Sequence, residues 1–171
     1  MGKYVFDAST LILLAKSTIL RDVAQLMEVL ITPAVKMEVL SKKGMEDAMI
    51  IQHLLEEGLI AEAKEPVSNN RFEEEFHLGA GEAETIYFAL KRNQIVATDD
   101  GRAIKACKVL GVRFITAIHC LLYLNRKGVL QKNMALQKLK RLNYYGRYNA
   151  EIIKDAKQLL EENENGRSRK L

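Results

Sequence analysis

The chain has little cysteine, no long apolar run and, over one long stretch, no acid. Only Cys107 and Cys120 are cysteines among its 171 residues. They stand apart, without a CxxC pair or an accompanying histidine set, so neither a disulfide framework nor a zinc site is expected and both read as small buried hydrophobes. His53, His77 and His119 are scattered, with no HxH or HExxH spacing. The longest apolar run, Leu11 to Ala15, falls far short of the roughly 20 residues that span a bilayer. The first residues reach Asp7 at once, which breaks any signal-peptide core. A cytoplasmic protein without membrane contact is the expectation, and no internal repeat or low-complexity segment is present.

What is there suits a globular protein. Hydrophobic residues make up 48% and charged residues 28%, whereas disorder needs low hydrophobicity and high net charge. The length fits one domain of roughly 100–200 residues. The net charge of +4 hides a polarised chain. Residues 1–100 hold 17 acids and 10 bases, residues 101–150 hold 11 bases and no Asp or Glu, and the remainder carries five of each. Such segregation points to a partner rather than to a fold. Within the basic stretch Tyr144, Tyr145 and Tyr148 lie among Arg141 and Arg147. A tyrosine there either stacks on an unpaired base or packs the last helix.

Short apolar runs alternate with helical patterns. Strands are predicted at 3–6, 29–32, 59–63, 95–98 and 112–116. Helices are predicted at 9–16, 33–43, 45–57, 81–92, 103–110, 117–127, 131–142 and 149–162. Ser9 or Thr10 is positioned to cap the first helix, and Pro33 falls at the first helical position of the second. The stretch 66–81 reads as a helical turn and a loop, and 163–171 as a polar, frayed end. Strands separated by 10–15-residue helical patterns predict βαβ units and a parallel sheet. Such a sheet binds its ligand outside the carboxyl ends of the strands.

At those ends stand acids. Tyr4-Val5-Phe6 runs into Asp7, and Ile95-Val96-Ala97-Thr98 runs into Asp99-Asp100. One such Asp is also a common turn residue or helix cap; two on neighbouring parallel strands would share an edge. Glu38 sits among apolar Val35, Met37 and Val39, beside the apolar face of its helix. Glu82 follows Gly79-Ala80-Gly81 and opens a helix, where capping is an equally good reading. Glu84, one step further round, is expected to face solvent. Four or five converging carboxylates repel one another unless a hard cation with oxygen ligands joins them, and Mg²⁺ or Mn²⁺ suits such a set.

The order VFDASTLILLAK, ITPAVKMEVL, LGAGEAETIYFAL, IVATDDGRAIKACKVLGVRFIT resembles the PIN-domain ribonucleases, in particular the VapC-like prokaryotic group with a GEAE motif. The resemblance covers roughly residues 3–130. It implies a three-layer α/β/α fold around a central parallel sheet, with the PIN-like domain over 1–150 and a C-terminal helix and polar tail over 151–171. The family's four acids fall on Asp7, Glu38, Glu82 and the Asp99–Asp100 pair, with Ser9 matching a hydroxyl two residues after the first acid. Glu82 stands where the family usually has Asp. The resemblance further implies a Mg²⁺- or Mn²⁺-dependent endoribonuclease acting on RNA, often the toxin of a toxin–antitoxin pair, with a homodimer and an antitoxin as partners. A PIN-like protein-binding module, or an RNA-processing factor without a toxin role, is the competing reading. A haloacid-dehalogenase-like phosphatase fits poorly, since it needs a second Asp where Ser9 stands. So does a phosphoreceiver domain, whose acid pair comes early in the chain and which needs a late Lys.

Overall fold

The computed structural model describes residues 3–41, 44–64 and 70–168. Its described residues form a five-stranded, wholly parallel sheet. The strands are β1 (Tyr4–Phe6), β2 (Val29–Ile31), β3 (Ile60–Glu62), β4 (Ile95–Ala97) and β5 (Phe114–Ile115), in the order β3-β2-β1-β4-β5. β1 is the central strand. Tyr4 pairs with Val29 and Ile95, Val5 with Leu30 and Val96, and Phe6 with Ala97. The helices α1 (Ala8–Lys16), α2 (Leu20–Leu26), α3 (Pro33–Ser41), α4 (Glu46–Glu56) and α5 (Asn70–Phe76) belong to the first half. They are followed by α6 (Ala80–Arg92), α7 (Gly101–Leu110), α8 (Ala117–Arg126), α9 (Lys132–Gly146) and α10 (Ala150–Ser168).

The three layers follow from the period of two along each strand. Phe6, Ile31 and Ala97 face one way into a core shared with Leu11 and Leu14 of α1, Ile51 and Leu54 of α4, and Leu121 and Leu124 of α8. Val5 and Val96 face the other way and pack with Ile86 and Ala89 of α6 and Ala103 and Cys107 of α7. Both cysteines are buried and unpaired. α10 docks through Ile153, Ala156 and Leu160 into the first core. Leu11, Leu14, Leu20 and Val23, whose segments could have offered a dimer surface, are likewise core residues. Among the described residues no helix is long and apolar enough to cross a membrane.

The predicted elements appear with altered ends. α2 is not visible as a separate helix in the sequence, because the chain reverses at Thr18, a β-branched residue with φ of 58° that carries no turn signal. Asn70–Phe76 forms a short helix where a turn and loop are predicted, and residues 66–69 of that stretch lie outside the described residues, as does the predicted helix end at Lys43. α9 continues to Gly146, past the predicted stop at Leu142, because its closing residue is Arg147 in the left-handed region with φ of 51°. α10 runs to Ser168 where a frayed end from 163 is predicted, and residues 169–171 are not described.

Leu11 has no exposed surface and lies on α1 one turn beyond the residue that caps it. Leu11→Ala is expected to lower the unfolding free energy by about 2–5 kcal/mol, through lost transfer energy and a residual cavity, read as a lower denaturation midpoint in urea. An unchanged midpoint would contradict this packing.

Candidate active site

Asp7 is the residue on which the carboxyl edge is built. Its backbone N–H donates to the Ala97 carbonyl at 3.0 Å, extending the β1–β4 ladder by one bond. Its side chain then caps α1, with Oδ1 accepting from the Thr10 amide at 2.9 Å. The expected caps, Ser9 and Thr10, therefore give way to the acid before them. The Ser9 hydroxyl donates to both oxygens of Asp7, at 2.8 and 2.9 Å, and the Thr98 hydroxyl donates to Oδ2 at 2.5 Å. The same two hydroxyl oxygens accept the amides of Asp99 and Asp100, each at 3.2 Å. They thus tie the turn after β4 to the carboxylate at the end of β1. Asp7 is only 1% exposed. Burial pushes its pKa up from 3.8 to about 7; the Thr10 amide and the Thr98 and Ser9 hydroxyls pull it down, and the Asp99 charge adds to the rise.

Asp99 and Asp100 are adjacent in sequence but do different things. Asp99 Oδ2 accepts from the Thr10 hydroxyl at 2.8 Å and from the Ala117 amide, at the start of α8, at 2.9 Å. Its Oδ1 accepts from the Tyr148 hydroxyl. Burial raises the Asp99 pKa, against the pull of Tyr148, Ala117, Thr10 and His119. His119 sits on the first turn of α8 and is itself held below its ordinary value by burial, with Asp99 opposing. Asp100 instead caps α7, its Oδ1 accepting the Arg102 and Ala103 amides at 2.8 and 3.0 Å. Asp7, Ser9 and Asp99 are therefore brought together, and Asp100 turns to its own helix.

The glutamates line the seam between α3 and α6. Glu82 makes one half of a capping box at the start of α6, its Oε2 accepting the Gly79 amide at 3.0 Å, since glycine has no side chain to return the bond. Glu38 is exposed on α3 with its carboxylate over Gly81, where an added Cβ would stand 2.6 Å from Oε2. Glu84 corrects the expectation that it faces solvent. It is 5% exposed, and its Oε2 accepts the Ala34 amide at 2.8 Å. α3 begins directly after β2, the neighbour of β1, so this bond brings Glu84 to the same sheet edge as Asp7. Its burial follows from the breadth of α6's covered surface, which also includes Gly81, Ala83, Thr85 and Ile86. Among the described residues no three Asp, Glu, His or Cys side chains converge to form a metal-holding group.

Thr10, Thr98, Glu84 and Tyr148 take part at this edge in roles other than those their place in the sequence suggests. Thr10 and Thr98 have a readable signal, a hydroxyl one turn after the first acid and a hydroxyl closing a strand just before the second. Tyr148 has none, being 49 residues from Asp99.

The strand order and the hydroxyl-lined carboxylate pair define an α/β/α protein with its acids gathered at the carboxyl edge of a parallel sheet. A PIN-domain family model, DUF3368, matches residues 3–162, so the chain belongs to the PIN-domain family, a class of nucleases that are generally metal-dependent. No curated protein matches the chain.

The residues present fit a divalent cation. Among the described residues no Lys or Arg pairs with Asp7 or Asp99. Apart from the His119 imidazole near Asp99, the groups that reach these two carboxylates are hydroxyls and backbone amides. The donors are all oxygens, and a Mg²⁺-like ion needs only one or two carboxylates, with water and substrate filling the remaining positions.

The raised Asp7 pKa sets a pH dependence. An acid whose folded pKa exceeds its unfolded value near 3.8 contributes stability that is complete below that value and fades as the pH climbs to about 7. Charging Asp7 therefore destabilises the metal-free fold at neutral pH, by on the order of a few kcal/mol. In thermal melts without metal, Asp7→Asn is expected to exceed the wild type at pH 7, with the gap narrowing at pH 5. A variant melting below the wild type at pH 7 would contradict this electrostatic account.

Proposed function

We propose that the chain is a metal-dependent endoribonuclease whose working carboxylates are Asp7 and Asp99. The observation that carries this reading is a pair of interacting carboxylates at the sheet's carboxyl edge, Asp7 buried at the end of the central strand and Asp99 half-buried after β4. Asp7 and Asp99 would hold a Mg²⁺ or Mn²⁺ ion, with Ser9, Thr10 and Thr98 fixing the carboxylate rotamers by hydrogen bonding. Such an ion supplies Lewis acidity, favouring a hydroxide nucleophile and stabilising charge on the phosphate and the leaving oxygen. Glu84 and Glu38, at the α3–α6 seam, flank the pair as outer acids. Asp100 and Glu82 serve as helix caps that set the backbone around them.

An acidic edge repels the polyanion it cuts, and α9 offers the compensating charge. The Lys138 amine donates to the Thr18 hydroxyl at 2.5 Å and Arg141 to the Lys16 carbonyl at 2.7 Å, at the C-terminal end of α1. Tyr148, just past the end of α9, reaches Asp99 near the start of α1. α9 therefore runs antiparallel to α1, and its C-terminal end, with exposed Arg147, lies beside the acid edge. Tyr144 is 79% exposed and sits edge-on to Tyr145 at 5.0 Å between centroids. With Lys140 and Arg147 it forms a face on which an unpaired base can stack while phosphates are neutralised.

The resemblance to VapC-like proteins extends this reading to the toxin of a toxin–antitoxin pair. An antitoxin arginine presented to Asp7 and Asp99 would supply the missing positive charge and silence the site. A protein-binding module with a dead site is the second reading, and the intact Asp7–Asp99 pair favours the nuclease.

The deciding experiment incubates pure protein with end-labelled RNA, with and without Mn²⁺ or Mg²⁺, beside Asp7→Asn. Cleavage that needs metal and disappears in the variant is expected. Equal cleavage by both proteins, or none with any metal, would sink the assignment. RNA affinity should also fall steeply between 50 and 200 mM salt; a flat response would remove α9 as the phosphate-holding surface.

Gly81→Ala probes Glu38 without touching a carboxylate. Alanine is the better helix former by about 1 kcal/mol, and the atom in its way is the far end of a flexible side chain. The melting temperature is expected to stay within a few degrees of the wild type while RNA cleavage falls, because the Glu38 carboxylate must move off the seam. Unchanged cleavage would remove Glu38 from the site.

A further inference from the structure

We propose that Tyr148 is a positioning residue that aims the Asp99 carboxylate. Its role rests on the reading of Asp7 and Asp99 as a cation-holding pair. The bonds to Asp99 divide unevenly between its oxygens. Oδ2 accepts two donors, the Thr10 hydroxyl and the Ala117 amide, which occupy both of its lone-pair directions. Among the described residues Oδ1 accepts one donor, the Tyr148 hydroxyl, which leaves its second lone-pair direction open. A carboxylate held at one oxygen turns easily about its last torsion, which has only a broad preference. Held at both, it presents the open direction of Oδ1 at a fixed angle.

The position of the tyrosine is built into the fold. Its ring lies over Gly146, where an added Cβ would meet ring atoms Cε2, Cζ and Cδ2 at 2.6, 3.1 and 3.2 Å. Arg147 turns the chain through the left-handed region between them. Immediately after it, Asn149 Oδ1 accepts the Glu151 amide at 2.9 Å and starts α10, whose Ile153, Ala156 and Leu160 are buried. The half-buried ring packs against the same core. The hydroxyl is thus located by α9 on one side and α10 on the other, and swinging it away would unseat the start of α10. This arrangement separates a positioning role from that of a plug. A plug competing for Oδ1 would need a mobile support, and its removal would strengthen cation binding. A positioning hydroxyl is rigidly mounted, and its removal weakens it.

The test measures Mn²⁺ alone, by the electron paramagnetic resonance of the free ion, against the full chain at neutral pH. Tyr148→Phe keeps the ring and deletes the hydroxyl; its Mn²⁺ dissociation constant is expected to rise by about tenfold or more, the usual size of an outer-ligand loss. The metal-free variant should melt within a few degrees of the wild type, and RNA KM at saturating Mn²⁺ should stay unchanged. Gly146→Ala approaches the same bond from the other side. It keeps the hydroxyl but displaces the ring, and should weaken Mn²⁺ binding in the same direction. Mn²⁺ binding that is equal or tighter in Tyr148→Phe overturns the proposal, as does weakening in Gly146→Ala alone. Absence of Mn²⁺ binding by the wild type overturns both this role and the cation-holding pair. Mn²⁺ binding by a wild type that leaves RNA intact overturns the nuclease reading only, and the Tyr148 comparison is still decided by the two isotherms.

Discussion

The burial of the Asp7 carboxylate at the end of the central strand constrains everything around it. A desolvated carboxylate is expensive to ionise in a low-dielectric interior, and hydrogen bonds to its charged form only partly offset that expense. Asp7 receives a backbone amide and two hydroxyls, and yet burial still lifts its pKa to about 7. Those donors impose the local structure. The Thr10 amide is available because α1 starts immediately after Asp7. The Thr98 hydroxyl is available because β4 pairs with β1 in a register that sets Phe6 beside Ala97. A one-residue slip of that register would turn Phe6 and Asp7 to opposite faces and lose both the core and the site.

Parallel topology makes this burial tolerable. Each helix that follows a strand starts at the carboxyl edge, so α1, α3, α7 and α8 all bring the positive ends of their dipoles there. Their first-turn amides are assigned one by one to acids: Thr10 of α1 to Asp7, Ala34 of α3 to Glu84, Arg102 and Ala103 of α7 to Asp100, and Ala117 of α8 to Asp99. The acids therefore satisfy helix ends that would otherwise be orphaned, and the helix ends lower the electrostatic cost of collecting acids. The capping and site readings of these residues, which look like rivals in the sequence, are for Asp7 and Asp99 one arrangement.

The same point explains what could be read in advance. The strands and their terminal acids were legible because short apolar runs ending in carboxylates need no tertiary information. The division of labour between Asp99 and Asp100 was not, because both are Asp, both follow Thr98, and only the direction of α7 makes the second one a cap. Glu84 was misread because an amphipathic pattern identifies one buried face, whereas α6 is covered by the sheet, α3 and α7 over most of its circumference. α2 and the end of α9 escaped because their turns use Thr18 and Arg147 at positive φ, where sequence preference would have asked for Gly or Asn. Tyr148 is the extreme case. Nothing near it in sequence hints at an acid, since its partner is supplied by a strand end two layers of chain away.

That last contact also changes the meaning of the charge segregation. In the sequence the acids of residues 1–100 and the bases of 101–150 are separate blocks, and separate blocks can sit at opposite poles of a molecule. Here they do not. α9 runs antiparallel to α1, held midway by Lys138 on Thr18 and Arg141 on Lys16, the last residue of α1, and just past its end by Tyr148 on Asp99. Charges interact strongly only within a screening length of about 8–10 Å at physiological salt. A basic helix far from the edge would raise the local concentration of a polyanion without directing it. On the proposed nuclease reading, a basic helix whose end is hydrogen-bonded to Asp99 would neutralise phosphates adjacent to the one presented to Asp7 and Asp99. On the same reading the acid block would keep the reacting position negative and the basic block would ease approach, with the Tyr148–Asp99 contact joining the two.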